Sequence, residues 1–194
     1  MMQITLFHHV LGRTAAIEQL AERIGSFGAS VDVPDLFEGQ TFSSLQQGLG
    51  YVESCGLEAL VERAEAACPA DGQPRVFAGC SLGVMIAQHL LQTRPAAGGL
   101  FLYSFIDPDQ LPGTWPDDVP VHLFGMEADE FLVDDGDLAA AQSWQQSHDN
   151  LHIHLYPGDG HLFAEEGFAD YDAAATEAML ADVRSALATM NPQS

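Results

Sequence analysis

The sequence predicts a three-layer α/β fold, in which a mostly parallel sheet of about six strands carries helices on both faces. Short apolar runs rich in β-branched and aromatic residues alternate with longer segments whose apolar residues recur every three or four positions. Strands that alternate with helices are typical of parallel sheets, because each helix returns the chain to the same end of the sheet. With 194 residues, no internal repeat and no interdomain linker, we expect one domain over residues 1–194.

Each predicted strand is a short apolar run closely followed by glycine, proline or polar residues. In chain order the strands are Ile4–His9, Val31–Val33, Val76–Ala78, Gly99–Phe105, Val121–Phe124 and Leu151–Tyr156. Helices are predicted where apolar residues recur at helical spacing. These helices are a segment around Ile17–Ile24, residues 44–68 in two pieces that meet near Gly56, a segment from Leu82 to Pro95, Asp137–Gln146 and Tyr171–Met190. Loops are predicted at residues 69–74 and at the proline-rich segment Ile106–Pro120, which is a candidate lid.

The charge balance limits the partners of the protein. Asp and Glu number 28 against 6 Lys and Arg, which gives a net charge of −22 with neutral histidines. A surface this acidic repels nucleic acid and anionic lipid, so we exclude both as partners. We also expect no signal peptide and no membrane span, because the N-terminus lacks a basic region and no apolar run is long enough.

Cysteines and histidines give no sign of a metal site. The three cysteines, Cys55, Cys68 and Cys80, are an odd number without metal-site spacing, which favours a reducing compartment and a cytoplasmic protein. His152 and His154 share one face of a predicted strand, but no further ligand is indicated. We therefore expect no metal and no cofactor.

A candidate nucleophile lies in the segment Gly79–Gly83, which reads G-x-S-x-G between a predicted strand and an apolar predicted helix. This pattern is typical of a sharp strand-to-helix turn that exposes a serine, here Ser81, at the N-terminus of a helix. Cys80 is a rival nucleophile, but shifting the pattern to it places Leu82 where a small residue is needed. The alternative without catalysis is a glycine-rich turn that only packs.

Two further loops follow predicted strands and carry an acid and then a histidine. Asp129 follows the strand that ends at Phe124, and His161 follows the strand that ends near Tyr156. Serine, acid and histidine in this order match the order of a hydrolase triad on an α/β sheet. Other acids remain open as alternatives to Asp129, and they are Glu127, Asp134, Asp135, Asp137 and, less favoured because it shares the histidine loop, Asp159.

The chain resembles the dienelactone hydrolase family over nearly its whole length. Four stretches carry the resemblance: residues 7–12, residues 33–37, the segment Gly79–Gly83, and the acid and histidine loops around Asp129 and His161. The resemblance implies an α/β-hydrolase fold with Ser81, Asp129 and His161 as the catalytic triad. It also implies that the backbone N–H groups of Val10 and Leu82 form an oxyanion hole.

Departures from the family pattern bear on the substrate. Founding members carry cysteine where this chain has Ser81, glutamate where it has His9, and a substrate-binding arginine where it has Glu165. A carboxylate facing an anionic substrate would repel it, so we expect a neutral or weakly charged substrate, with Arg13 as the only candidate to hold an anion. From this resemblance we also expect the chain to lack the family's first two strands, which leaves about six strands in the sheet.

The expected function is hydrolysis of a small ester or lactone through an acyl-enzyme on Ser81. His9, Phe37 and Trp115 are candidates to line the substrate pocket, although each is equally consistent with core packing. Thioester and peptide hydrolysis by the same residues stay open. The alternative from another class is a non-catalytic protein of this fold that binds a small ligand. We expect a monomer or a homodimer.

Overall fold

The computed structural model describes residues 1–68 and 72–190, so the predicted loop at 69–74 lies partly outside the described residues. Its centre is one sheet of six parallel strands in the order β2-β1-β3-β4-β5-β6. The strands are β1 Met2–Phe7, β2 Ala29–Asp32, β3 Arg75–Cys80, β4 Ala96–Leu102, β5 Val121–Met126 and β6 Leu151–Tyr156. The predicted α/β class and the predicted six-stranded parallel sheet are confirmed.

The strand register aligns the apolar runs across the sheet. One row of paired residues runs from Leu6 through Ala78 and Leu100 to His122 and His152. The first three are fully buried in a core on one face of the sheet. The row ends in His122 of β5, which is buried, and in His152 of the edge strand β6, which is exposed.

Helices cover both faces and give the predicted three layers. The described helices are α1 Ala15–Gly25, α2 Leu45–Cys55, α3 Leu57–Ala67, α4 Leu82–Thr93, α5 Glu130–Val133, α6 Asp137–Gln145 and α7 Ala173–Met190. α1 and α7 pack on one face, over the core that contains the aliphatic residues of β1, β3 and β4. α3 and α4 pack on the other face, where the core includes Phe7, Phe77 and Phe101. Alternate residues of each strand thus serve opposite cores.

Some element boundaries differ from the sequence prediction. β4 begins at Ala96, directly after Pro95, because it pairs with β3 from Arg75 onward, and it ends at Leu102. The four-residue helix α5 and a 3₁₀ turn at Pro108–Gln110 were not predicted, since segments this short carry no periodic pattern. Among the described helices, none combines the length and the apolar character that crossing a membrane requires.

Candidate active site

Ser81 lies at a sharp turn between β3 and α4, with φ of 51° and ψ of −115°. Few residues with a side chain adopt a positive φ, so the surrounding structure must impose this conformation. The two glycines of the motif make the turn possible. A β-carbon at Gly79 would lie 2.3 Å from the carbonyl oxygen of Gly83, and one at Gly83 would lie 2.2 Å from that of Phe7. The turn therefore requires glycine at both positions.

The serine, histidine and acid indicated by the sequence form one continuous series of hydrogen bonds. The Oγ of Ser81 lies 2.9 Å from Nε2 of His161, and Nδ1 of the same ring lies 2.8 Å from Oδ2 of Asp129. Because the ionised carboxylate can only accept, Nδ1 carries the proton and Nε2 is left free to accept the serine O–H. This arrangement is the one a histidine needs in order to remove the hydroxyl proton.

Asp129 is selected from its neighbours by burial and by its position at a helix start. It is fully buried. Its Oδ1 accepts the N–H of Phe131 at 3.0 Å and so caps α5, which leaves Oδ2 for His161. The competing acids point elsewhere: Glu127, Asp134, Asp135 and Asp159 are exposed, and Asp137 accepts from Ser104 and Phe105. Burial raises the pKa of Asp137.

A cavity of about 280 Å³ opens beside the serine. Its walls are mainly apolar and come from the loops after β1, β5 and β6 and from the start of α2. The residues are His9, Val10, Leu11, Ser43, Ser44, Leu45, Ser81, Phe131, His161, Leu162, Phe168, Ala169 and Asp170. Of these lining residues, Asp170 alone is a carboxylate and none is arginine or lysine. No residue of the predicted lid, Ile106–Pro120, is among them.

Two of the three predicted pocket residues lie elsewhere. Phe37 is fully buried and packs its ring against Tyr51, with 4.8 Å between ring centroids. Trp115 is buried against Phe105 and donates its indole N–H to Asn150 at 3.1 Å. The structure therefore places Phe37 and Trp115 in the core between the sheet and its helices and not in the lining of this cavity.

The predicted charges around the substrate also need correction. Arg13 pairs with Glu18 at 2.9 Å and lines a separate groove between α1 and β2, so it is not placed to hold an anion in the cavity. Glu165 does not face the cavity, because it is fully buried and bonded to His9 at 2.7 Å. His9 does line the cavity, yet both of its ring nitrogens are already engaged by the protein.

The two predicted oxyanion donors, Val10 and Leu82, both lie next to Ser81. Val10 lines the cavity in the loop after β1, and Leu82 is the first residue of α4. Within the described residues, the backbone N–H of neither has a hydrogen-bond acceptor. An N–H in the first turn of a helix has no intrahelical partner and points outward from the helix end. These two N–H groups are therefore the candidates for the oxyanion hole.

Several features of the site had no clear signal in the sequence. Leu45 lines the cavity from the start of α2, and Leu162 and Phe168 line it from the loop between β6 and α7, so only the fold brings them together. The sequence does give a signal for Phe131, because it follows Asp129 by two residues. In the structure its ring lies 4.7 Å from that of His161. The rival nucleophile Cys80 is fully buried, and burial raises the pKa of its thiol well above the ordinary value.

No group of three or more histidine, cysteine, aspartate or glutamate side chains in residues 1–68 and 72–190 is arranged to hold a metal ion. His122 and His154 lie on neighbouring strands, with 3.0 Å between Nδ1 and Nε2, so they share a hydrogen bond with each other.

Comparisons with known proteins agree with this architecture. The sequence model of the dienelactone hydrolase family matches residues 2–191. A Xanthomonas campestris pv. campestris protein assigned to the alpha/beta superfamily of hydrolases is 22% identical, with 97% of this chain and 99% of that chain covered and a TM-score of 0.65. The dienelactone hydrolase-like promiscuous phosphotriesterase P91 from metagenomic libraries is 15% identical, with 98% and 87% covered and a TM-score of 0.71. The esterase Est2 of Thermogutta terrifontis with propionate bound is 14% identical, with 100% of this chain and 85% of that chain covered and a TM-score of 0.59.

No curated protein sequence matches the chain. The chain belongs to the dienelactone hydrolase family and is a hydrolase of the α/β type.

Proposed function

We propose that the protein hydrolyses a small, uncharged ester or lactone through a covalent intermediate on Ser81. The observation that carries the proposal is the unbroken series of hydrogen bonds from Ser81 through His161 to Asp129, at 2.9 Å and 2.8 Å. A serine hydroxyl is a weak nucleophile at neutral pH, and an adjacent oriented base is the feature that activates it. The Thermogutta terrifontis esterase of similar fold supports an ester as substrate.

In the first half of the reaction, Oγ of Ser81 attacks the carbonyl carbon of the ester while its proton moves to Nε2 of His161. Asp129 stabilises the imidazolium through the Nδ1–H hydrogen bond and keeps the ring oriented. The tetrahedral oxyanion is stabilised by the backbone N–H groups of Val10 and Leu82. The bond from carbon to the leaving oxygen then breaks, and His161 gives its proton to that oxygen. The acyl group stays on Ser81.

In the second half, a water molecule takes the place of the alcohol. His161 removes a proton from the water as the water oxygen attacks the acyl carbon, and the second tetrahedral intermediate is stabilised by the same two N–H groups. The bond from carbon to Oγ of Ser81 breaks, and His161 returns the proton to the serine. The carboxylic acid leaves and the enzyme is restored.

The cavity supports a small and uncharged substrate. Its volume of about 280 Å³ lies below the usual range for drug-sized ligands. Its walls include Leu11, Leu45, Leu162 and Phe168, and the lining residues offer no arginine or lysine to pair with a substrate carboxylate. An anion would also have to approach a protein of net charge −22.

Replacing the nucleophile tests the proposal. We expect wild-type protein to hydrolyse p-nitrophenyl acetate and S81A to lose this turnover by at least about 10³-fold, since the oriented base then has no hydroxyl to activate. Ser185→Ala is the matched control, because Ser185 is exposed on α7 and its hydroxyl donates to the carbonyl of Ala181. Cys80→Ala should also retain activity. Turnover that survives in S81A would contradict the proposal, and an inactive wild type would favour the non-catalytic small-ligand binding protein.

A further inference from the structure

A second histidine–carboxylate pair lies beside the proposed catalytic residues, and the reaction above does not use it. Nε2 of His9 lies 2.7 Å from Oε2 of Glu165, and the two side chains are only 1% and 0% exposed. The residues are 156 positions apart in the sequence, so the contact joins the loop after β1 to the loop after β6. Burying a carboxylate without a partner is costly, which implies that this contact is specific.

The backbone fixes the hydrogen positions of the pair. The N–H of Leu11 donates to Nδ1 of His9 at 3.1 Å, so Nδ1 must hold a lone pair. The proton of the neutral ring is then on Nε2, and His9 donates to the carboxylate of Glu165. Within the described residues, Oε1 of Glu165 has no hydrogen-bond partner, so His9 is the only side chain that bonds this carboxylate. The hydrogen bond between the two side chains therefore runs in one direction, from His9 to Glu165.

On the His9 side, the pair holds the loop that carries the proposed oxyanion donor. Val10 follows His9 directly, and the bond from Leu11 to Nδ1 closes a turn around it. The carbonyl of Leu11 accepts the N–H of Phe42 at 2.9 Å. The carbonyl of Val10 lies against Gly48 of α2, where a β-carbon would come within 2.2 Å of the oxygen. These contacts fix the backbone of Val10 from both sides.

On the Glu165 side, the pair holds the loop that carries the proposed base. Glu165 follows His161 by four residues, and its N–H donates to the carbonyl of Leu162 at 3.0 Å. Its own carbonyl accepts the N–H of Phe168 at 3.3 Å. The ring of Phe168 packs edge-on against His9, with 5.6 Å between centroids, and lines the cavity. One short segment thus carries the base, the partner of His9 and a cavity wall.

We propose that His9 and Glu165 are positioning residues, which fix the backbone N–H of Val10 relative to the ring of His161. This geometry is needed to stabilise the tetrahedral intermediates, so the role rests on the proposed function. Both ring nitrogens of His9 are engaged within the protein, and Glu165 is absent from the cavity wall. The pair acts through geometry, because what it sets is the distance between two loops. A misplacement of about 1 Å in an oxyanion site can cost about 100-fold in rate.

Matched substitutions of Glu165 separate geometry from charge. Glu165→Gln can still accept from His9 through its amide oxygen, so kcat should stay within about threefold of wild type. Glu165→Leu has similar bulk but no acceptor, and Glu165→Asp keeps the charge but is too short. Both should lower kcat by about 10- to 100-fold on p-nitrophenyl acetate with KM changed less than about threefold. Affinity for a phenylboronic acid should fall by the same factor as kcat/KM.

The control is Gln92→Leu, which removes a buried side chain that donates to the carbonyl of Pro108 at 3.1 Å outside the cavity. This variant should lose stability and keep kcat. Wild-type kcat in Glu165→Leu, wild-type kcat in Glu165→Asp, or a Glu165→Gln variant as slow as Glu165→Leu would each overturn the proposal. If Glu165→Leu does not fold, the contrast between Glu165→Gln and Glu165→Asp decides.

Hydrogen exchange at Leu11 gives a readout that does not depend on activity. Loss of the Glu165 acceptor releases the ring of His9, so the N–H of Leu11 should exchange faster in Glu165→Leu than in wild type and in Glu165→Gln. Equal exchange at Leu11 in all three proteins would overturn the proposal. If wild type shows no turnover that depends on Ser81, the proposed function fails, and the exchange experiment alone then decides whether the pair fixes this loop.

Discussion

The ring of His161 has a defined partner at each nitrogen, and the two partners impose opposite proton roles on it. Asp129 Oδ2 at 2.8 Å holds the proton on Nδ1, while Ser81 Oγ at 2.9 Å faces the free lone pair of Nε2. The side chain of His161 is 14% exposed, so it is shielded but can reach a substrate in the cavity. At this scale the proposed chemistry depends on the tautomer that Asp129 selects.

Asp129→Asn tests that dependence. The amide would donate to Nδ1, which places the ring proton on Nε2, where it faces the serine instead of accepting from it. We expect kcat on p-nitrophenyl acetate to fall by about 10⁴-fold with little change in KM. The fold should be retained, because the amide oxygen can still accept the N–H of Phe131 as the cap of α5.

Asp137→Asn is the control for this variant. Asp137 is a neighbouring acid that bonds to Ser104 and Phe105 and not to His161, so its amide variant should keep kcat within a few-fold of wild type. Loss of activity in Asp137→Asn but not in Asp129→Asn would reverse the assignment of the acid.

At the scale of single residues, the position of a residue relative to a strand predicts membership of the candidate site, whereas the type of side chain alone does not. Ser81 was predictable because a strand, two glycines and a helix are local features of the sequence. Asp129 and His161 were predictable because each directly follows a strand. The sequence is equally consistent with a cavity wall and with core packing for Phe37 and Trp115, and the structure places both in the core. The contact between His9 and Glu165 spans 156 positions and depends on the fold, so no local pattern signals it.

At the scale of elements, β5 and β6 also carry a group of histidines that are not part of the cavity lining. His122 of β5 shares a hydrogen bond with His154 of β6 and stacks on it, with 5.2 Å between ring centroids. Burial, with smaller contributions from His152 and His154, lowers the pKa of His122 from 6.5 to about 4. Burial likewise lowers the pKa of His8 to about 4. Burial thus favours the neutral form of the His122 and His8 rings in the folded protein.

Protonation of His122 should destabilise the folded protein progressively as the pH drops from about 6.5 to about 4. In the unfolded chain the imidazole of His122 takes up a proton near pH 6.5, whereas in the folded protein it does so only near pH 4, so acid favours unfolding within this window. A shift of this size corresponds to about 3 kcal/mol once the pH is below both values. Urea unfolding at pH 7.5 and pH 4.5 should show a smaller loss for His122→Phe than for wild type. Equal losses would contradict this assignment, although His8 leaves part of the loss in both proteins.

Element prediction succeeded where the pattern was long and failed where it was short. α1 carries five buried residues at helical spacing, and the sequence shows this stripe directly. α5 has four residues and begins at the cap formed by Asp129, so its signal is a single side chain. β4 starts earlier than predicted because pairing with β3, and not apolar character, sets its first residue.

At the scale of the whole molecule, the fold brings three distant loops to the carboxyl ends of β3, β5 and β6. These strands lie within one parallel sheet, so their carboxyl ends face the same edge. The order of elements predicts this convergence, and family membership agrees with it. The net charge of −22 is a property of the whole surface and bears on which substrates approach, not on the fold.

Covalent labelling tests the central claim, that this sheet presents Ser81 as an activated nucleophile. A fluorophosphonate should add one label to wild-type protein, and peptide mass spectrometry should find it on Ser81. His161→Ala should label far more slowly, since the base is missing, while Ser185→Ala should label like wild type. Folded wild-type protein that stays unlabelled, or that carries the label on another residue at the same rate, would contradict the account.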